Sequence, residues 1–202
     1  MINKAIINKI ALDFFWRKRA AKIAGFFWEQ RARRNAKYLL PHILESERII
    51  DIGSGSGMIA KVISERIPVD FILVDVIDWN ITDFPLVLFD GEHIPFPGNA
   101  FDVALLIDVL HHSEKEKQLL KEALRVAKKV IIVEEVHHHP KMDLLANISD
   151  NLQWFLYGMP LGIHHRNKKQ WVEFLRQYSP CVECDREYWN HAIFVMQKNQ
   201  GH

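Results

Sequence analysis

The sequence has few cysteines, little net charge and no long apolar run. Cys181 and Cys184 are the two cysteines among 202 residues, which excludes a disulfide-based scaffold and favours a reducing compartment. No stretch approaches the roughly 18 apolar residues that a membrane-spanning helix requires. Lys and Arg total 26 against 25 Asp and Glu, so the overall charge gives no reason to expect a nucleic-acid partner. These absences predict a soluble, cytoplasmic protein.

Charge is nevertheless distributed unevenly along the chain. Residues 1–38 hold ten basic and two acidic side chains, whereas residues 39–202 hold 16 basic and 23 acidic ones. Apolar residues recur at helical spacing in the basic segment, around Ile10 and again around Ala32. The basic triplet 17–19 follows an apolar stretch, the reverse of the order in a secretory signal. We therefore predict a basic helical N-terminal extension at 1–38 and one domain at 39–202.

Short apolar runs alternate with helical patterns through the middle of the chain. The runs lie at 49–52, 71–74, 86–89, 103–107 and 130–133. Continuous apolar runs are typical of parallel strands that are covered by helices on both faces. Residues 182–189 and 191–197 predict a further, antiparallel pair. The fold class is therefore predicted as α/β, a Rossmann-like doubly wound, mostly parallel sheet with an antiparallel C-terminal edge.

The predicted strands end in residues suited to ligand binding. The first strand runs into a glycine loop at 53–57, and acidic residues end the next four strands, namely Asp75, Asp90, Asp108 and Glu134. Open α/β sheets bind ligands beyond these carboxyl ends. The loop differs from a dinucleotide fingerprint because Met58 stands where the third glycine would fall, and no Gly-Lys-Ser/Thr follows as in a P-loop. Several acids suit a ligand with hydroxyls, amines and a positive centre better than a pyrophosphate.

Several segments, in order, resemble the class I S-adenosylmethionine-dependent methyltransferases, most closely the type 11 group around the quinone-biosynthesis methyltransferases. The segments are 51–57, 74–75, 90–96, 99–105 and 109–112, and the likeness covers roughly residues 40–135. The resemblance implies the class I methyltransferase fold and S-adenosyl-L-methionine as cofactor. The chain departs from the family pattern between strands two and three, where the family usually has a helix. Only 14 residues separate Asp75 from Asp90 and they include Pro85, which predicts a short or missing helix.

The resemblance also implies a set of cofactor-binding residues. They are Asp51, Gly53, Ser54, Gly55, Gly57, Asp75, Val76, Asp90, Gly91, Ile107 and His112. The glycine loop is expected against the methionine part of the cofactor, with Asp51 near its amino group. Asp75 is expected to accept both ribose hydroxyls, as one carboxylate can. Val76, Asp90 and the Gly91 amide are expected around the adenine.

A catalytic base is predicted just beyond the fourth strand. The resemblance places Ile107 near the sulfonium, and Asp108 and His111 follow it. Methyl transfer needs mainly alignment, together with a base where the acceptor is a hydroxyl or an amine. An alternative remains open, in which His111 only packs and His112 caps a turn or touches the cofactor.

The acceptor is predicted to contact the loop before the last helix. His164, His165 and Arg166 lie there, and the alternative is a helix lead-in capped by Asn167. No metal is predicted. The histidines at 137–139 are adjacent and cannot share one face of a strand, and the two cysteines lack further zinc ligands.

The extension has three open interpretations. It is a lid and packing helix, a contact to a membrane surface through aromatic residues among basic ones, or an RNA contact through Arg31, Arg33 and Arg34. The predicted function is methyl transfer to a small-molecule or lipid-like acceptor. The alternatives are a catalytically silent S-adenosylmethionine-binding regulatory partner, an RNA methyltransferase and an NAD-dependent oxidoreductase, the last disfavoured by Met58.

Overall fold

One seven-stranded sheet organises the protein. The computed structural model describes residues 25, 28–136, 164–188 and 190–197. The strands are β1 Arg48–Ile52, β2 Asp70–Asp75, β3 Leu86–Leu88, β4 Phe101–Ile107, β5 Ala127–Glu135, β6 Val182–Tyr188 and β7 His191–Gln197. The helices are α1 at 28–39, α2 Met58–Ser64, α3 Glu116–Val126 and α4 Lys168–Leu175, with short 3-10 turns at Leu40–His42 and Leu110–His112. Within these ranges no helix is long and apolar enough to cross a membrane.

The order of the strands confirms the predicted fold class. The sheet runs β3-β2-β1-β4-β5-β7-β6, and β1 to β5 pair in parallel. Strand β7 lies antiparallel between β5 and β6. Strands β2 and β3 follow on one side of β1, and β4 and β5 follow on the other. At this switch in strand order the carboxyl ends of β1, β2 and β4 border a crevice, which is where such sheets bind ligands.

Helices cover both faces of the sheet, as the continuous apolar runs predicted. Helices α1 and α2 pack on the face that contains Ile49 and Leu73. Helices α3 and α4 pack on the opposite face, against Ile50 and Leu106. All four of these strand side chains are fully buried. Complete burial of such a side chain stabilises the fold by about 1.5–3 kcal/mol, which accounts for strands that are apolar on both faces.

Helix α1 belongs to this core. Ala32, Ala36 and Leu39 along one side of it are buried, at 2%, 0% and 0% exposure. The boundary predicted at residue 38 therefore falls inside α1 rather than between two separate units. Residues 1–24, which make up most of the predicted extension, lie outside the described residues.

The connection between β2 and β3 contains no helix in residues 76–85, as the short spacing predicted. Side-chain hydrogen bonds hold it instead. The Asn80 carbonyl oxygen accepts from the Thr82 backbone at 2.9 Å, and the Asn80 amide nitrogen donates to the Phe84 carbonyl at 2.9 Å. Trp79 in the same segment is only 3% exposed. The connection is thus an ordered wall beside the carboxyl end of β2.

Candidate active site

A cavity of about 640 Å³ lies at the carboxyl ends of the parallel strands. The glycine loop after β1, the end of β2 and the end of β4 form one side of it. Helix α1 contributes Trp28, Arg31 and Asn35, and the start of β7 contributes Asn190 and His191. The volume falls within the range of about 300–1,000 Å³ typical of small-molecule sites.

The glycine loop adopts a backbone that side chains disfavour. Gly53, Gly55 and Gly57 all have positive φ, at 69°, 52° and 76°. A Cβ on Gly53 would stand 2.6 Å from a methyl group of Val109, whereas a Cβ on Gly55 would meet no atom within 4 Å. The first glycine thus permits close packing inside the protein. Gly55 leaves open space on the cavity side, where a ligand can approach the backbone.

Asp75 holds the glycine loop and its own turn together. Its Oδ2 accepts from the Gly55 amide at 2.8 Å, and its Oδ1 accepts from the amides of Val76 at 2.7 Å and Ile77 at 3.3 Å. Burial raises the pKa of Asp75, against the opposing effect of these hydrogen bonds. A carboxylate offers about four lone-pair positions. Three of these positions are occupied here, which leaves one for a ligand. The contact of Asp75 to both ribose hydroxyls stays a prediction.

Asp51 and Ser54 supply unpartnered polar atoms to the same end of the cavity. Asp51 is 2% exposed, and neither its Oδ2 nor the Ser54 hydroxyl has a hydrogen-bond partner within the structure. Burial, together with the charge of Asp75, raises the pKa of Asp51 to about 8. Buried polar groups normally have partners, so these two atoms indicate a polar ligand. A cationic ligand beside Asp51 would favour its ionised form.

The predicted adenine residues lie at different depths. Val76 and Gly91 line the cavity, and Val76 is 49% exposed. Asp90 is not among the lining residues. Its Oδ1 accepts from the backbone amides of Glu92 at 2.8 Å and His93 at 2.7 Å, and these bonds hold its pKa down at about 2. The structure thus gives Asp90 a turn-stabilising role, and its contact to adenine stays a prediction.

The cavity is also lined by an ion-pair cluster around Asp108. This residue follows β4 with a positive φ of 55°, and its carboxylate contacts the Arg31 guanidinium. His191 Nε2 lies 3.0 Å from the other Asp108 oxygen. Burial would raise the pKa of Asp108, but the charges of His191 and Arg31 outweigh it and hold that pKa well below its usual range. The sequence predicted Asp108 here but neither of its partners, which lie on α1 and β7.

His111 is held by a carboxylate that sequence reasoning named only as a strand end. Its Nδ1 lies 2.5 Å from Glu134 Oε2, and Glu134 Oε1 accepts from the amides of Val109 at 3.1 Å and Leu110 at 2.7 Å. Burial favours the neutral imidazole, but Glu134 outweighs it and raises the pKa of His111 to about 9. The His112 ring lies 3.9 Å away, and both histidines line the cavity, as does Ile107.

His164, His165 and Arg166 of the predicted acceptor loop are not among the lining residues, although the His164 amide donates to the carbonyl oxygen of the lining residue His111 at 3.2 Å. Arg166 forms two 2.7 Å bonds to the Glu116 carboxylate, and its guanidinium lies over the Trp171 ring at 4.7 Å. The structure therefore gives Arg166 a role in tying α4 to α3. The capping box at Asn167, the alternative considered from sequence, is present. Acceptor binding by these residues stays a prediction.

One cluster of side chains has residue types that could bind a metal ion, but its members are engaged in ion pairs. Ligand atoms of Asp108, His111 and Glu134 lie within 4.8 Å of one another. However, Arg31 contacts Asp108, and Glu134 is engaged by His111 and by two backbone amides. We assign this cluster no metal. The histidines at 137–139 lie outside the described residues.

Comparison with known proteins identifies the domain. Residues 50–133 match the family described as "Methyltransferase domain". The chain carries a class I S-adenosylmethionine-dependent methyltransferase domain. A tRNA (carboxymethyluridine(34)-5-O)-methyltransferase of Schizosaccharomyces pombe is 33% identical over 89 residues, or 41% of this chain. The match spans about a third of that relative's length, 36%.

Solved structures share the fold of this methyltransferase domain. A chain of the complex between the Haloferax volcanii Trm112 methyltransferase activator and a methyltransferase gives a TM-score of 0.66 at 13% identity, over 90% of this chain and 96% of that one. A methyltransferase from Thermotoga maritima gives 0.65 at 15% identity, over 92% and 99%. At these identities the likeness establishes the fold alone.

The residues of the cavity fit S-adenosylmethionine, the cofactor that this family implies. Asp51 and Ser54 offer unpartnered polar atoms, and the space beside Gly55 is open. The acidic side chains Asp51 and Asp75 suit the amino group and the positive sulfonium of this molecule. The family match favours this cofactor over NAD, the alternative that the sequence had disfavoured.

Proposed function

We propose that this chain transfers the methyl group of S-adenosylmethionine to a small-molecule or lipid-like acceptor. The observation that carries the proposal is the group of buried acidic and unpartnered atoms beside the glycine loop. Asp51, Ser54 and Asp75 stand together at the end of the cavity nearest this loop.

In the proposed reaction the protein acts mainly by alignment. The bound cofactor supplies an activated methyl group, and Asp75 fixes the loop that holds it through the Gly55 amide. Trp28 and Ala32 of α1 also line the cavity. Glu134 fixes the turn after β4 through two backbone amides, which sets where an acceptor can approach. Correct alignment alone contributes up to about 7–11 kcal/mol in favourable cases.

A small or lipid-like acceptor fits the size of the cavity, and two nearby arginines are already paired with carboxylates. Arg31 contacts Asp108, and Arg33 contacts Glu29 and Glu65. Arg31 and Arg33, which were considered as RNA contacts, are therefore engaged within the domain. An RNA acceptor is the second candidate, and the observation in its favour is that the Schizosaccharomyces pombe relative is named as a tRNA methyltransferase.

Two measurements test the proposal. Calorimetry with S-adenosylhomocysteine should show binding to the wild-type chain, and absence of binding would end the idea. Methyl-labelled donor is then incubated with the chain and with separated small-molecule, lipid and RNA fractions of a cell extract. The extract's protein fraction is added in a parallel series, because the Haloferax volcanii neighbour was solved with an activator protein. Label in the RNA fraction favours the second candidate, and binding without any label favours a silent regulatory partner.

A further inference from the structure

His191 is a buried cavity residue that the cofactor site does not use. It opens β7, is 7% exposed, and lines the cavity. Its Nε2 lies 3.0 Å from an oxygen of Asp108. Its Nδ1 is buried and has no hydrogen-bond partner within the structure. Unpartnered polar atoms of the cavity-lining residues therefore occur at His191 as well as at Asp51 and Ser54.

The negative charge of Asp108 lies nearest to Nε2 of His191, at 3.0 Å. A carboxylate beside Nε2 favours the proton on that nitrogen, which leaves a lone pair on Nδ1 in the neutral ring. The Tyr188 ring stacks on His191 with centroids 5.8 Å apart, and the Tyr188 hydroxyl donates to Asn35 at 3.0 Å. The imidazole is therefore oriented from two sides. An unpartnered buried acceptor is destabilising, and a hydrogen bond from a ligand's O–H or N–H group would remove that cost.

The two residues predicted as bases from sequence are less suited to that role. His111 is protonated at neutral pH, since its pKa is about 9 beside Glu134. The carboxylate of Asp108 is a weak base, because His191 and Arg31 hold its pKa well below the usual range. A general base works best when its pKa lies near the working pH.

We propose that His191 accepts the proton of a protic acceptor group, an O–H or N–H, with Asp108 and Arg31 as positioning residues. The inference rests on the proposed methyltransferase function. The electron pair of the acceptor atom forms the bond to the methyl carbon, and the carbon–sulfur bond breaks with its electron pair staying on sulfur. The acceptor's proton passes to His191 Nδ1, so the charge lost by the sulfonium appears on the imidazole.

The charges around His191 predict how the reaction depends on pH. Burial lowers the pKa of His191, but Asp108 outweighs burial and raises it above the ordinary value. Arg31 of α1 opposes Asp108, and Glu135 of β5 adds to it. Tyr188 of β6 stays neutral in this range, since burial raises its own pKa further. Transfer should therefore increase with pH as His191 loses its proton, and then level off.

Nitrogen NMR of the full chain tests the state of the imidazole without any acceptor. Histidine labelled with ¹⁵N is titrated from about pH 6 to pH 9.5 with S-adenosylhomocysteine present, and the His191 signals are assigned from their loss in His191→Asn. We expect the neutral ring to carry its proton on Nε2, and Asp108→Asn to lower the pKa. A ring that stays doubly protonated throughout, or a neutral ring protonated on Nδ1, overturns the proposal.

Methyl labelling of the extract fraction that wild type modifies tests the role in transfer. We expect His191→Asn to label at least about 100-fold more slowly, within the range typical of general bases, and to bind S-adenosylhomocysteine within about threefold of wild type. His42→Asn is the matched control, because His42 Nε2 lies 3.1 Å from Asp185 in a pair outside the cavity. Undiminished labelling by His191→Asn refutes the inference alone. Failure of wild type to bind the probe or to label any fraction refutes the proposed function, and the titration then decides the state of His191.

Discussion

Replacing Glu134 by glutamine should remove a large pH-dependent contribution to stability. Glu134 is fully buried, and its Oε2 lies 2.5 Å from His111 Nδ1. A glutamine has the same shape, and its carbonyl oxygen can still accept from the backbone amides of Val109 and Leu110. Its amide nitrogen can donate to a neutral His111. The substitution therefore removes the charge that keeps His111 protonated and leaves the hydrogen bonding of the turn in place.

The magnitude follows from the shift at His111. Its pKa increases from 6.5 to about 9 on folding, and each unit corresponds to about 1.4 kcal/mol, so the pair stabilises the fold by about 3 kcal/mol. Because the folded pKa is raised, this contribution is complete below pH 6.5 and is lost as the pH increases through 9. Asp51, whose pKa is also raised, makes the fold lose stability in the same direction as pH increases to about 8. Asp51 is unchanged in the Glu134 variant, so its pH-dependent loss of stability is the same in the variant and in wild type. It therefore cancels in the difference between them, which reports the His111–Glu134 pair.

Urea unfolding followed by tryptophan fluorescence, at intervals from pH 6 to pH 9.5 and constant ionic strength, measures the effect. We expect Glu134→Gln to be about 3 kcal/mol less stable than wild type at pH 6, with a difference that shrinks steadily towards pH 9.5. Glu122→Gln is the control, because Glu122 pairs with Arg125 and its pKa is lowered, so its offset should be constant over this range. Equal pH slopes in wild type and Glu134→Gln would refute the reasoning.

Four further outcomes are expected. Asp75→Ala should weaken S-adenosylhomocysteine binding at least about 100-fold in calorimetry, since the loop loses its carboxylate anchor, whereas unchanged affinity would contradict the site. Gly53→Ala should lower the urea midpoint because its Cβ clashes with a buried side chain, whereas Gly55→Ala should stay folded and bind the same probe more weakly. Arg166→Ala should cost about 1–3 kcal/mol of unfolding free energy, because it leaves the buried Glu116 carboxylate without its partly buried partner, with donor affinity unchanged. Deletion of residues 1–24 should spare donor binding and reduce labelling of the acceptor; lost donor affinity in a folded truncation would assign those residues to the cofactor site.

Local patterns were sufficient to predict the framework of the domain. The five central strands, the antiparallel pair near the C-terminus and the missing helix before β3 all lie where the apolar runs and Pro85 indicated. These features depend on neighbours within a few residues, because strand and helix periodicities and turn chemistry are local properties. The glycine loop and Asp75 were found for the same reason, since spacing along the chain sets the geometry of a strand–loop–helix unit.

Side-chain partners were not predictable in the same way. Asp90 ends its strand as expected, yet its carboxylate is engaged by the turn that follows it. Arg166 lies in the expected loop, but Glu116 of α3 binds it. In both cases the sequence identified the element, whereas the direction of the side chain depended on donors that only folding brings near.

The sequence by itself thus determined the sheet, its ligand-binding edge and the kind of cofactor that the edge suits, because these follow from hydrophobic periodicity and from residues adjacent along the chain. Only the tertiary structure decided the protonation of the site. Arg31, Asp108 and His191 come from α1, β4 and β7, and they meet within one buried cluster. Charge interactions in a buried site depend steeply on distance and solvation, and neither is encoded in separations of 77 to 83 positions along the chain.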